Sequence, residues 1–147
     1  MNRPGNLVAR IFWDTNLFIY LFEGTGAHAR RVKELRRAML ERGDQLLTST
    51  LTLGEILVKP MEEGDSKLCG KYEEAIAKTA LLVPLDAKAA KIYASLRCDR
   101  ALRAPDAIQL ACAAAAGVDL FITNDARLRG RQVDGIHFIV PLQKAPL

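Results

Sequence analysis

The chain has 147 residues, room for one domain with one core; half of them are hydrophobic and 26% are charged, an ordinary globular balance that argues against a disordered chain. The formal net charge of +4 permits an anionic partner such as nucleic acid without demanding one. The longest apolar stretch, Ala107 to Val118, contains Gln109 and stops at Asp119, short of the roughly 20 residues that span a bilayer, so no membrane is expected.

Met1 to Asn6, like Lys144 to Leu147, reads as a disordered end, and no apolar run behind a basic start marks a signal peptide. Ile11 to Trp13 then reads as a short buried strand, Asp14-Thr15-Asn16 as a turn and Leu17 to Phe22 as a helix. After the break Gly24-Thr25-Gly26, Ala27 to Arg42 has Val32, Leu35, Met39 and Leu40 on one face and charges on the other, an amphipathic helix ended by Gly43-Asp44. Gln45 to Thr48 reads as a strand. Ser49 or Thr50 caps a helix that runs through Val58 and stops at Pro60. Ser66 to Thr79 follows as a helix, and Ala80 to Leu85 as a strand whose pairing Pro84 limits.

Asp86 caps a helix running to about Arg97, and Cys98 to Ala104 is a basic connection. Pro105 stands at the first position of the alanine-rich helix Asp106 to Ala116, where its missing N–H does no harm, and Gly117 ends that helix. Asp119 to Thr123 reads as a strand, Asn124 to Gly130 as a loop with one helical turn, and Ile136 to Val140 as the last strand. Strands alternating with helices imply a mainly parallel sheet covered on both faces. Cys69, Cys98 and Cys112 are scattered without CxxC spacing, so neither a disulfide framework nor a zinc site is suggested, and a reducing cytoplasm is the natural setting.

Four carboxylates share one kind of position. Asp14 follows the first strand, Glu55 lies early in the helix after the second, Asp106 opens the alanine-rich helix, and Asp125 lies just beyond Leu120-Phe-Ile-Thr123. In a parallel sheet these places lie along one edge. Each also has an ordinary structural reading. Asp14 or Asn16 suits a helix cap, and Thr52-Leu-Gly-Glu55 matches a capping box in which Glu55 reaches back to the Thr52 amide. Asp106 complements a helix dipole, and Asn124-Asp125 suits an Asx turn. Together, clustered carboxylates repel one another unless a divalent cation sits among them, and an all-oxygen set suits Mg²⁺ or Mn²⁺ rather than zinc.

Asp14-Thr15-Asn16, Thr52-Leu-Gly-Glu55-Ile, Pro105-Asp106-Ala107-Ile108-Gln109-Leu110-Ala111 and Thr123-Asn124-Asp125 resemble, in order and spacing, the four signatures of the PIN domain. In its compact size the chain is most similar to the VapC toxins of toxin–antitoxin pairs. The resemblance implies an α/β/α sandwich of strand order 3-2-1-4-5 over residues 1–147 as a single domain. It also implies a metal-dependent endoribonuclease that leaves a 5′-phosphate and a 3′-hydroxyl, an antitoxin partner, and a homodimer paired through the short helices bearing Leu51, Leu57, Val58 and Met61.

In that reading Asp14, Glu55, Asp106 and Asp125 are the catalytic residues and hold one or two Mg²⁺ or Mn²⁺ ions, while Thr15, Asn16 and Thr123 keep the carboxylates and waters in place. Arg100 and Arg103 before Asp106, and Arg127, Arg129 and Arg131 after Asp125, are candidates to contact RNA phosphates, although exposed arginines are common on any surface. His28 and His137 read as surface or packing residues, and Trp13 and Phe18 as core. Two other readings remain: a PIN-fold nuclease of RNA processing or decay without an antitoxin, and a non-catalytic PIN-fold binding module.

Overall fold

The computed structural model describes residues 8–147, so the reading of Met1 to Asn6 lies outside the described residues. The elements follow the alternation read from the sequence: β1 (Arg10–Trp13), α1 (Thr15–Glu23), α2 (Ala27–Arg42), β2 (Gln45–Ser49), α3 (Thr50–Glu62), α4 (Ser66–Thr79) and β3 (Leu81–Val83). Then come α5 (Ala87–Leu96), α6 (Ala104–Ala116), β4 (Val118–Thr123), a 3-10 turn (Ala126–Leu128) and β5 (Ile136–Pro141). The five strands form one sheet in the order β3-β2-β1-β4-β5, and every pairing is parallel. This is the PIN-like order expected. Consecutive strands β1 and β2 are neighbours, yet β4 returns to the other side of β1, so the order reverses between β1 and β4.

Burial on both faces explains the apolar strands. Ile11 and Trp13 face a cluster with Leu17, Phe18, Val32, Leu35, Met39, Ile56 and Ile76. Phe12, alternating with them, faces the opposite cluster with Leu47, Leu110, Cys112 and Phe121. The Phe12 and Phe121 rings stack at 5.1 Å across the β1–β4 pair. Helices α1 to α4 thus cover one face, and α5 and α6 the other. The alanines of α6 let its backbone lie close to the sheet: Ala107, Ala111 and Ala113 are fully buried. Gly43 ends α2 in the left-handed region at φ 76°, where its amide takes up the Leu40 and Met39 carbonyls. Trp13 and Phe18 are core residues, as expected. His28 stacks on Tyr20, and His137 sits exposed beside Asp119. Among the described residues no helix is long and apolar enough to cross a membrane.

Several boundaries, and the end of the chain, differ from the sequence reading. Helix α3 continues through Pro60 to Glu62. Pro60 is buried in the last turn, so only one N–H is lost, while the Lys59 and Pro60 carbonyls still accept from Glu63 and Asp65. Strand β3 is only Leu81–Val83, because Pro84 and Leu85 have left the ladder. Helix α6 starts at Ala104, one residue before Pro105. The end of the chain is packed rather than disordered: Leu142 and Ala145 are buried against the α2 layer, and Arg31 donates to the carbonyls of Ala145 and Leu147.

Candidate active site

The reversal of strand order leaves a crevice at the carboxyl ends of β1 and β4, the usual ligand position in an open parallel sheet. Asp14 stands at its floor. Its amide donates to the Ile122 carbonyl at 3.0 Å, which ties it to β4. Its Oδ1 accepts from the Thr15 amide at 2.9 Å and caps α1, while Oδ2 accepts from the Thr123 hydroxyl at 2.8 Å. The cap reading and the site reading of Asp14 therefore describe two oxygens of one side chain.

Thr123 passes the connection on, since its hydroxyl oxygen accepts the Asp125 amide at 2.9 Å. The Asp125 carboxylate is taken by a guanidinium fork: Arg127 Nε donates to Oδ1 at 2.9 Å and Nη2 to Oδ2 at 2.6 Å. Asp106 lies in the first turn of α6 and pairs with Arg103 Nε at 3.3 Å. Glu55 makes no capping box. The cap of α3 is Ser49, whose Oγ accepts from the Thr52 amide, and Glu55 Oε1 instead accepts from the Thr15 hydroxyl at 2.5 Å.

Asp14, Thr15, Asn16, Glu55, Asp106 and Asp125 line one open cleft of about 420 Å³, with Arg103 and Arg127 also in its wall. Of the residues expected to hold the carboxylates, Thr15 and Thr123 do so. Asn16 lines the cleft but, among the described residues, its side chain bonds none of them. Arg100 and Arg129 are exposed outside the lining, and Arg131 is turned away to Asp99 at 2.8 Å. Burial pushes the Asp14 carboxyl above the usual carboxylate range, the bonds from Thr123 and the Thr15 amide pull it back, and the charges of Asp106 and Glu55 push it up again. The fork from Arg127 holds Asp125 below its ordinary value.

Residues 11–133 match the family model described as PIN domain. The chain belongs to the PIN domain family. This is a family of nucleases, hydrolases of the phosphodiester bond. Solved structures share the PIN fold of this chain. A chain of the toxin–antitoxin complex from Klebsiella pneumoniae superposes with a TM-score of 0.65 at 25% identity, covering 86% of this chain and 94% of that one. A chain of DNA-bound VapBC from Salmonella typhimurium gives 0.66 at 19% identity, with 92% and 99% covered. One of VapBC2 from Rickettsia felis, bound to a promoter DNA fragment, gives 0.66 at 12%, with 89% and 97% covered. No curated protein matches the sequence.

PIN nucleases generally use divalent metal ions. The donor set of this PIN domain fits a hard divalent cation in chemistry: four carboxylates around one cleft, oxygen donors throughout, and no histidine or cysteine in the lining. Among the described residues, however, no three of His, Cys, Asp and Glu stand close enough to hold an ion as placed. Arg103 and Arg127 occupy Asp106 and Asp125 instead; both arginines are more than half exposed, while the two carboxylates are 13% exposed.

Reading the sequence for acids missed a buried polar residue at the same place. Gln109 Nε2 donates to Thr15 Oγ1 at 3.0 Å and to Thr52 Oγ1 at 2.8 Å, and its Oε1 accepts from Ser49 Oγ at 2.5 Å. Its signal was available: a lone amide in an otherwise apolar helix, one turn after Asp106.

Proposed function

We propose that this PIN domain is a metal-dependent endoribonuclease, the toxin of a toxin–antitoxin pair in a reducing cytoplasm. The observation that carries the reading is the convergence of Asp14, Glu55, Asp106 and Asp125, from four separate stretches of sequence, on one open cleft. Those four carboxylates would hold Mg²⁺ or Mn²⁺, which supplies Lewis acidity toward the scissile phosphate and its water. Thr15 and Thr123 fix the directions of Glu55 and Asp14 through hydroxyl donors. Arg103 and Arg127 line the cleft and pair with Asp106 and Asp125; with substrate bound they would turn to backbone phosphates of RNA. Purified protein should cleave RNA with Mg²⁺ or Mn²⁺ and not in chelator, and Asp14→Asn should abolish the cleavage. Equal cleavage by wild type and variant, or cleavage in chelator, would overturn the reading.

The toxin assignment is supported by the toxin–antitoxin complexes among the structural neighbours. Inhibition by the partner follows from the same chemistry. Asp106 and Asp125 already accept guanidinium groups of their own chain, and an arginine from a partner would enter the cleft in the same way and displace the metal. A complex in which the partner binds the opposite face and leaves the cleft open would contradict this.

A further inference from the structure

We infer that Gln109 is a positioning residue of the nuclease site: its amide aims the Thr15 hydroxyl at Glu55 and so fixes the Glu55 carboxylate at the cleft. The inference rests on the nuclease reading and goes beyond it, to a residue that carries no charge. Gln109 is buried on α6, where an amide is costly unless every group is paired. It is paired throughout. Ser49 donates to Oε1, which leaves the two N–H groups of Nε2 for Thr15 and Thr52.

The direction of the chain follows from counting hydrogens. An amide nitrogen only donates, so Thr15 Oγ1 is an acceptor toward Gln109. Thr15 donates to Glu55 Oε1 at 2.5 Å, so its single hydrogen is spent there. Turning the amide over would place an oxygen against both threonines and offer the Thr15 hydrogen a competing acceptor. In the turned position Nε2 would face Ser49 alone with two N–H groups, whereas as placed Oε1 takes the Ser49 hydrogen at 2.5 Å and both N–H groups find a threonine. Ser49 also caps α3, the helix that bears Glu55. The amide therefore links the start of α3, the start of α1 and α6, three of the elements that bring carboxylates to the cleft. Thr48, bonded to the Trp13 carbonyl at 2.9 Å and to Thr52 at 2.8 Å, joins the same network to β1.

The test is a double-variant cycle with Glu55. Gln109→Met keeps the length of the side chain and removes its donors and acceptor. In the otherwise native chain it should weaken Mn²⁺ binding, measured by electron paramagnetic resonance, and kcat for RNA cleavage by about tenfold, the low end of what outer partners of metal ligands contribute. In a Glu55→Gln background the same change should alter Mn²⁺ affinity and residual kcat by less than about twofold, while its loss in melting temperature stays the same in both backgrounds. A residue that only supports packing would lower the melting temperature alone, or would cause equal fold-losses in both backgrounds; either result overturns the inference. Gln109→Glu, which keeps the shape and the acceptor for Ser49 but not the two N–H groups, serves if the Met variant does not fold, with the same outcomes. A metal-free crystal structure of the variant gives an independent readout. Glu55 should leave Thr15, and an unchanged contact would overturn the positioning role. That arm stands even if wild type binds no Mn²⁺ and cuts no RNA, a result that would remove the nuclease reading itself.

Discussion

At the scale of single residues, the cleft is built from side chains that each satisfy a structural need as well. Asp14 caps α1 with one oxygen and accepts from Thr123 with the other. Asp106 and Asp14 could be picked out in the sequence because a carboxylate directly after an apolar strand or at the start of an apolar helix is conspicuous. Gln109 could not be assigned a role, since what it touches is set by the meeting of α1, α3 and α6. The arginines divide for a similar reason: Arg103 and Arg127 reach the cleft, whereas Arg131 pairs with Asp99 and ties the turn after Asp125 to the connection before α6. That pair gives a pH prediction. Arg131 and the Ala101 amide lower the Asp99 pKa from 3.8, so the folded state holds this proton less readily than the unfolded chain. The pair therefore stabilises above 3.8, and its contribution is lost as pH falls through the lowered folded value. Asp99→Asn should melt slightly below wild type at neutral pH, with the gap closing in acid. A gap that is constant or widens on acidification would contradict the assignment.

At the scale of elements, alternating strands and helices were readable because both faces of the sheet demand continuous apolar strands and one-sided helices. The ends of elements were less so. Pro60 signals a stop, yet α3 absorbs it in its last turn because the neighbouring carbonyls find other donors. The tail 144–147 is polar at Lys144 and reads as loose, but Arg31 is long enough to hold it from α2. Helix α3 also matters for assembly, since it carries Val58 and, on its extension past Pro60, Met61 outward with 53% and 62% of their surface exposed. Two large apolar side chains on one helix end, near the partly buried Leu57, suit pairing with a second copy of the same helix. Light scattering across micromolar concentrations, without any partner, should give the mass of a homodimer, and Met61→Lys should weaken it. A monomer throughout would sink this prediction.

At the scale of the whole molecule, the topology brings four carboxylates from four separate element ends to one cleft, the site we propose to be metal-dependent. Asp14, Glu55 and Asp106 are close enough for the latter two charges to raise the proton affinity of the first. The order in which β4 returns beside β1 puts Asp125 next to Asp14, joined through Thr123. That much follows from the sequence once the strand order is known. The grip of Arg103 and Arg127 on two of the carboxylates does not follow from it, because exposed arginines give no sign in sequence of which acid they will choose.

The most direct measurement is the melting temperature of wild type and of Asp14→Asn, each in chelator and with Mn²⁺. Asparagine caps a helix nearly as well as aspartate and carries no charge. In chelator the variant should be as stable as wild type or more so, because one partly buried charge facing Glu55 and Asp106 is gone. Mn²⁺ should raise the melting temperature of wild type clearly more than that of the variant, since an ion bound only by the native state stabilises it by mass action. An equal Mn²⁺ shift in the two proteins, or none in either, would contradict Asp14 as a metal ligand and with it the account of the cleft as a metal-dependent nuclease site.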